Sequence, residues 1–403
     1  MNPQDQRNSP ITSPHWSSQP IIDWLFSEGR LIEIEAYFVG ELAQRLSLSG
    51  APVDRLMITM LTLNPQVVSV HHTWLKSDGK TTTFEANHGI RETDRYIGSP
   101  LQQLFDSGRK VRQRLDRLPL DAHLAYTELA EQGYIDYLAL PVHFGKVLGC
   151  AIIIATRIEC GFSNHDIENF RQIRSFLAPI LEVYSLRHQS VSLLNTYVGK
   201  RTGGKILAGM IRRGDADTIH AALWLSDLRD FTRLTETLST QQILDLLNEY
   251  FEVVSEAVTA RGGEILRFIG DAMLIVFPID DRVIAKSACR AAIGAAIDAQ
   301  ASLETLNFER QCRYECDIRF GVGLNIGEVI YGNVGAVDRL DFTVMGPAVN
   351  RTARLESLTK TLGSSILFSR DFADLLDRPT RFLGDHEMKG IEQPQAVFAL
   401  DTE

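Results

Sequence analysis

Two acidic residues stand where strand patterns end: Asp227 in LWLSDLRDFT and Asp271 in RFIGDAMLIVF. Downstream, in GPAVNRTARLE, Asn350 and Arg354 lie four residues apart, on one face of a helix that Gly346-Pro347 would begin. Two neighbouring ionised carboxylates repel. A hard, oxygen-preferring cation removes that penalty, so the pair suits Mg²⁺ or Mn²⁺, and the lack of a nearby His/Cys set disfavours zinc. Two acids, divalent metal and a separate Asn/Arg face are the parts for metal-assisted phosphoryl chemistry. Either acid alone would equally suit a turn or a helix cap.

The elements that must position these residues read as an α+β fold. A strand over 221–226 carries Asp227 to its end, and a helix follows from a capping box, Ser239 with Gln242. Ile243, Leu246, Leu247, Tyr250, Phe251, Val254 and Val258 give that helix one apolar face, and Gly262-Gly263 stops it. Strands over 264–268 and 273–277 form a hairpin with Asp271 at its tip. A helix over about 282–306 leads to strands over 318–324 and 328–331. The order βα-β-β-αβ is a split βαβ of the ferredoxin-like kind.

The chain has 403 residues, room for two to three domains. A net charge of −10 and a pI near 5.5 argue against a general nucleic-acid or anionic-membrane surface, since phosphate-rich partners need a positive field. Five cysteines without a CxxC pair or a signal peptide argue against a disulfide framework and for a reduced, cytoplasmic protein. The most apolar stretch, 138–156, is broken by Pro141, His143 and Lys146 into strand-length pieces, so no membrane insertion is expected.

Residues 1–18 are rich in Ser, Pro, Asn and Gln and read as a disordered lead-in. Residues 19–163 alternate helices with strands over 57–63, 68–75, 134–143 and 147–155. This antiparallel sheet with a long exit helix resembles a GAF-type ligand-sensing domain at the level of fold. Adjacent His71 and His72 on a strand face opposite sides and do not converge on one metal. Either could be a lone haem ligand; more simply, one is core and one is surface.

Over 164–200, Phe170, Leu177, Tyr184, Val191 and Val198 recur at heptad spacing, with Ile173, Ile180 and Leu194 in a second register. Two readings stay open: a parallel two-chain coiled coil, or a single amphipathic helix packed on its own sheet. Pro179 should kink or split the run. Residues 201–219, rich in Gly and charge, read as a junction.

Residues 220–403 resemble the catalytic domain of class III nucleotidyl cyclases. The resemblance rests on SDLRDFT, RFIGDAMLIVF, GEVIYGNVG and DFTVMGPAVNRTARLE. It implies that two Mg²⁺ or Mn²⁺ ions per site are bound by Asp227, Asp271 and the backbone carbonyl of Leu228. It also implies that Phe231 and Thr232 bind substrate, that Asn350 orients the ribose, and that Arg354 stabilises charge on the α-phosphate. In this family the acids come from one chain and the Asn/Arg pair from its partner, which implies a homodimer with sites at the interface. Lys389 matches a basic position that meets the terminal phosphates. Asp230 replaces a Gly usual in the phosphate loop.

Adenylate-type members usually carry Lys four residues before the second metal Asp, and Asp or Thr seven before the Asn; here these are Arg267 and Thr343. Guanylate-type members usually carry Glu at the first. Arg267 keeps a donor for adenine N1, Thr343 can pair with the adenine amino group, and no carboxylate is expected there for guanine. The expected activity is therefore conversion of ATP to 3′,5′-cyclic AMP under an N-terminal regulator of unknown identity, small molecule or protein. A guanylate cyclase and a weakly active nucleotide-binding protein are the alternatives, since an Arg fork also suits guanine.

Overall fold

Alternating apolar residues pair into strands wherever one face can be buried, and this organises the N-terminal half. The computed structural model describes residues 16–280 and 284–401, which divide into two units at Leu193/Leu194. In the first, β1 (Arg55–Leu61), β2 (Val67–Leu75), β3 (Thr81–Asn87), β4 (Val111–Arg114), β5 (Asp136–Phe144) and β6 (Val147–Thr156) form an antiparallel sheet in the order β3-β2-β1-β6-β5-β4. One sheet face packs on α1 (Gln19–Ser27), α2 (Glu35–Leu48) and the first half of α5 (Asn164–Val198). The other packs on α3 (Pro100–Ser107) and α4 (Leu124–Glu131). The edge strands β3 and β4 escape the sequence pattern because TTTFEAN and VRQR carry little apolar alternation.

Of the expected lead-in, residues 1–15 lie outside the described residues. The rest is ordered: Trp16 and Ser18 are buried, Trp16 donating to Asp166 at 2.6 Å and Ser18 to Gln172 at 2.7 Å. Helix α5 is a single helix with Pro179 inside it, not two. Phe170, Ile173, Leu177, Leu181 and Tyr184 are buried in the core of their own unit, so the amphipathic-helix reading holds for this stripe. Another stripe, with Phe176, Val183, Leu186 and Leu193, is exposed. His72 is buried against Glu35 of α2, while His71 faces the opposite side, as alternation requires.

In the second unit the expected junction is structured. Helix α6 (Lys200–Leu207) is pinned by Thr202, whose hydroxyl bonds the buried Tyr331 hydroxyl at 2.7 Å, and β7 (Ala216–Leu228) begins earlier than its apolar core suggests. After α7 (Phe231–Thr237) and α8 (Thr240–Ala260), whose capping box forms, come β8 (Glu264–Ile269), β9 (Ala272–Ile279) and α9 (Ala285–Cys312). The two strands expected over 318–331 are one long strand, β10 (Phe320–Ala336), followed by β11 (Arg339–Met345), α10 (Pro347–Leu362), β12 (Ile366–Ser369), the short α11 (Arg370–Ala373), β13 (Thr380–His386) and β14 (Gln395–Leu400). The sheet order is β13-β14-β12-β10-β7-β9-β8, with β11 on β10. Gly323 is required here: a Cβ on it would stand 2.4 Å from the Thr352 carbonyl and the Glu356 amide, so its absence lets α10 lie directly on β10.

Candidate active site

Strand register brings the two acids together. Asp227, near the end of β7, is paired in the ladder with Ala272, the residue after Asp271. Asp271 lies at the tip of the β8–β9 hairpin, where Gly270 at φ +64° opens the turn. Asp227, Leu228, Phe231, Thr232 and Asp271 all line one cleft of about 930 Å³. Burial, and next the adjacent Asp227 charge, push the Asp271 carboxyl up to about 6. Beneath the acids, the buried Tyr250 hydroxyl donates to Ser226 at 2.9 Å.

A positive group already faces this pair. Lys360, in the last turn of α10, donates to Asp227 Oδ2 at 2.8 Å. One turn earlier on α10, buried Glu356 pairs with Arg229 at 3.2 Å, and Arg229 also donates to Thr359. None of these three residues stands out in sequence, because each contact spans more than a hundred residues and follows from the seating of α10 on β10.

The donors fit a divalent cation. Burial and the adjacent Asp227 charge both disfavour the ionised Asp271 carboxyl, a cost that a cation would offset, and the available ligands are oxygens, as Mg²⁺ or Mn²⁺ prefers. Among the described residues there is no cluster of three or more His, Cys, Asp and Glu side chains that could hold a metal, so the remaining ligands would be backbone carbonyl, water and substrate.

Asn350 and Arg354 are not in this cleft. They lie on α10 at i and i+4, but Glu356 and Lys360, each six residues further on, point about 240° round the helix. Asn350 is exposed, and Arg354 is half-buried with no ion pair among the described residues. Lys389 is exposed and also outside the cleft.

Arg267 of β8 forms an ion pair with Asp341, two residues before Thr343 on β11. Residues two apart share a strand face, so Asp341 and Thr343 project from the same side of β11, and Asp341 meets Arg267. This corrects the expectation that no carboxylate is present there; Asp341 was missed because the motif spacing points to position 343. Asp230 holds φ +61°, a region costly for any residue with a side chain, and its carboxylate pairs with Arg319 at 2.9 Å on the cleft wall.

Residues 216–402 match the family model of the adenylate and guanylate cyclase catalytic domain, and this part of the chain is a class III domain of that kind. The match begins at the first residue of β7.

Adenylate cyclase 1 of Rhizobium meliloti (strain 1021) is 35% identical over 146 residues, 36% of this chain and 21% of that protein. Adenylate cyclase of Anabaena cylindrica is 34% identical over 199 residues, 48% of this chain and 38% of that protein. The chain thus spans well under half the length of either relative. Among solved structures, the adenylyl cyclase CyaB from P. aeruginosa is 28% identical, with a TM-score of 0.43 over 47% of this chain and 96% of that one.

Proposed function

We propose that this chain is a homodimeric adenylate cyclase that converts ATP to 3′,5′-cyclic AMP and pyrophosphate under control of its N-terminal unit. The observation that carries the reading is the separation of two half-sites on one chain: Asp227 and Asp271 share a cleft, while Asn350 and Arg354 face elsewhere. A second copy supplying Asn350 and Arg354 would complete each site, and two-fold symmetry would give two.

In the reaction the ribose 3′-oxygen bonds to the α-phosphorus, the bond to the β-phosphate breaks, and pyrophosphate and the hydroxyl proton leave. Mg²⁺ or Mn²⁺ held by Asp227, Asp271 and the Leu228 carbonyl would lower the hydroxyl pKa and neutralise phosphate charge. Asn350 holds the ribose, and Arg354 offers a rigid fork to the α-phosphate. Phe231 and Thr232 line the phosphate end of the cleft, and Lys389 reaches the terminal phosphates. Arg267 and Thr343 read adenine, a choice supported by the similarity to the adenylate cyclases of Rhizobium meliloti and Anabaena cylindrica.

One observation favours a guanylate cyclase as the second reading: the Asp341 carboxylate beside Arg267 can accept from guanine N1–H and N2–H. Cyclase assays with ATP and GTP, each in Mg²⁺ and Mn²⁺, decide between the two. Asp227→Ala and Arg354→Ala chains, each inactive alone, should regain part of the activity when mixed. Demonstrated heterodimers without such rescue would refute the shared site.

A further inference from the structure

Strand β1 places Leu56, Ile58 and Met60 in one core, so Arg55 and Met57 face the other side of the sheet, beneath α3 and α4. A cavity of about 270 Å³ lies there. Its walls are apolar where Met57, Phe105, Leu129 and Tyr137 meet, yet Arg55 lines it as well. The only polar contact of this guanidinium among the described residues is a weak one, 3.6 Å to the sulfur of Met57. Burial lowers its pKa, and no carboxylate offsets this. The one acid on the cavity wall, Glu128, already faces Arg95 at 3.4 Å.

A charge partly withdrawn from water gains from a partner or a ligand, and Arg55, half-buried, has no ion-pair partner among the described residues. His71, also on the wall, is not a second cation. Its Nδ1 bonds the Thr59 hydroxyl and its Nε2 the Ser69 hydroxyl, both at 2.9 Å, and burial keeps the ring neutral. Arg91 and Arg95 also line the cavity, but both are exposed and Arg95 faces Glu128, so Arg55 is the one half-buried cation on the wall and calls for one negative charge. The volume, about 270 Å³, admits a ring-sized body with a short side chain.

We propose that this cavity binds a small organic monocarboxylate, its carboxylate paired with Arg55 and its apolar body against Met57, Phe105, Leu129 and Tyr137. Binding stands on the cavity alone; that the ligand governs nucleotide turnover rests on the sensor–cyclase reading above.

The test is ligand-observed NMR on the full chain, with benzoate and phenylacetate compared with benzamide and phenylacetamide. The acids should bind at least about tenfold more tightly than their amides. Arg55→Met should erase that preference, leave amide binding unchanged, and unfold at no lower a temperature than the parent, because it removes an uncompensated charge. Equal binding of acid and amide, a preference that survives Arg55→Met, or no acid binding by about 10 mM would overturn the proposal. Displacement of the acids by inorganic phosphate at equal concentration would overturn the ligand class. If Arg55→Met misfolds, the acid–amide comparison on the parent still decides. A chain that selects acids yet makes no cyclic nucleotide would keep this site and sink the cyclase reading.

Discussion

Lys360→Met should tighten divalent-metal binding. The Lys360 ammonium is 2.8 Å from Asp227 Oδ2, with side-chain exposures of 50% and 22%. At that separation Coulomb's law gives about 1.5–3 kcal/mol for an effective dielectric of 40–80. A lysine this exposed retains only part of that after solvent screening and side-chain entropy, about 0.2–1 kcal/mol. A cation that engages Asp227 must displace or share this contact, so removing the ammonium should raise apparent affinity about 1.5- to 5-fold. Methionine keeps most of the apolar stem, which limits any packing loss. Titration of Mn²⁺ followed by electron paramagnetic resonance, without nucleotide, measures binding apart from turnover. Unchanged or weaker Mn²⁺ binding in a variant that melts like the parent would refute the idea that Lys360 holds the place of a cation.

Asp341→Asn should lower kcat/KM for GTP more than for ATP, by about 5- to 100-fold for a lost pair of base contacts; an unchanged ratio would show that Asp341 does not read the base. Asp230→Gly should lower KM for the nucleotide by removing an acid from the cleft wall and freeing Arg319. Its stability should stay within about 1 kcal/mol of the parent, since relief of the positive φ and the entropy of glycine offset each other, and nucleotide titration with a melting curve checks both. His71, held at about 4 by burial and then by the charges of His72 and Arg55, should stay neutral in a histidine NMR titration down to that pH. Its pKa is lower folded than unfolded, so its contribution is present above about pH 6.5 and lost, by up to about 3 kcal/mol, as pH falls toward 4; protonation of this ring near pH 6.5 in the native chain would contradict the buried geometry.

Each acid was legible because its own place is local, a strand end for Asp227 and a two-residue glycine turn for Asp271, and the β7–β9 register then sets them side by side. Arg267 and Thr343 were singled out by motif spacing, but Asp341, Lys360 and Glu356 belong to contacts made only after distant strands and α10 assemble. Strand β10 read as two pieces because Asn325 and Gly327 interrupt its apolar run. In the fold Gly327 is needed, since its Cβ would stand 2.9 Å from that of Ala348. Helix α6 was hidden by glycines whose low helix propensity is overridden by the Thr202–Tyr331 contact. The heptads of α5 announce a buried stripe, but periodicity does not say whether the burying surface is a second chain or the protein's own sheet; here Phe170 to Tyr184 meet their own core.

That stripe restricts how a helix of this length can transmit motion. Rolling α5 about its axis would expose Phe170, Ile173, Leu177, Leu181 and Tyr184, at about 1.5–3 kcal/mol for each fully uncovered side chain. Torsion is therefore resisted along the stretch from Phe170 to Tyr184. Beyond Ser192, the last residue of the helix to be buried, no side chain of α5 adds to that resistance by full burial.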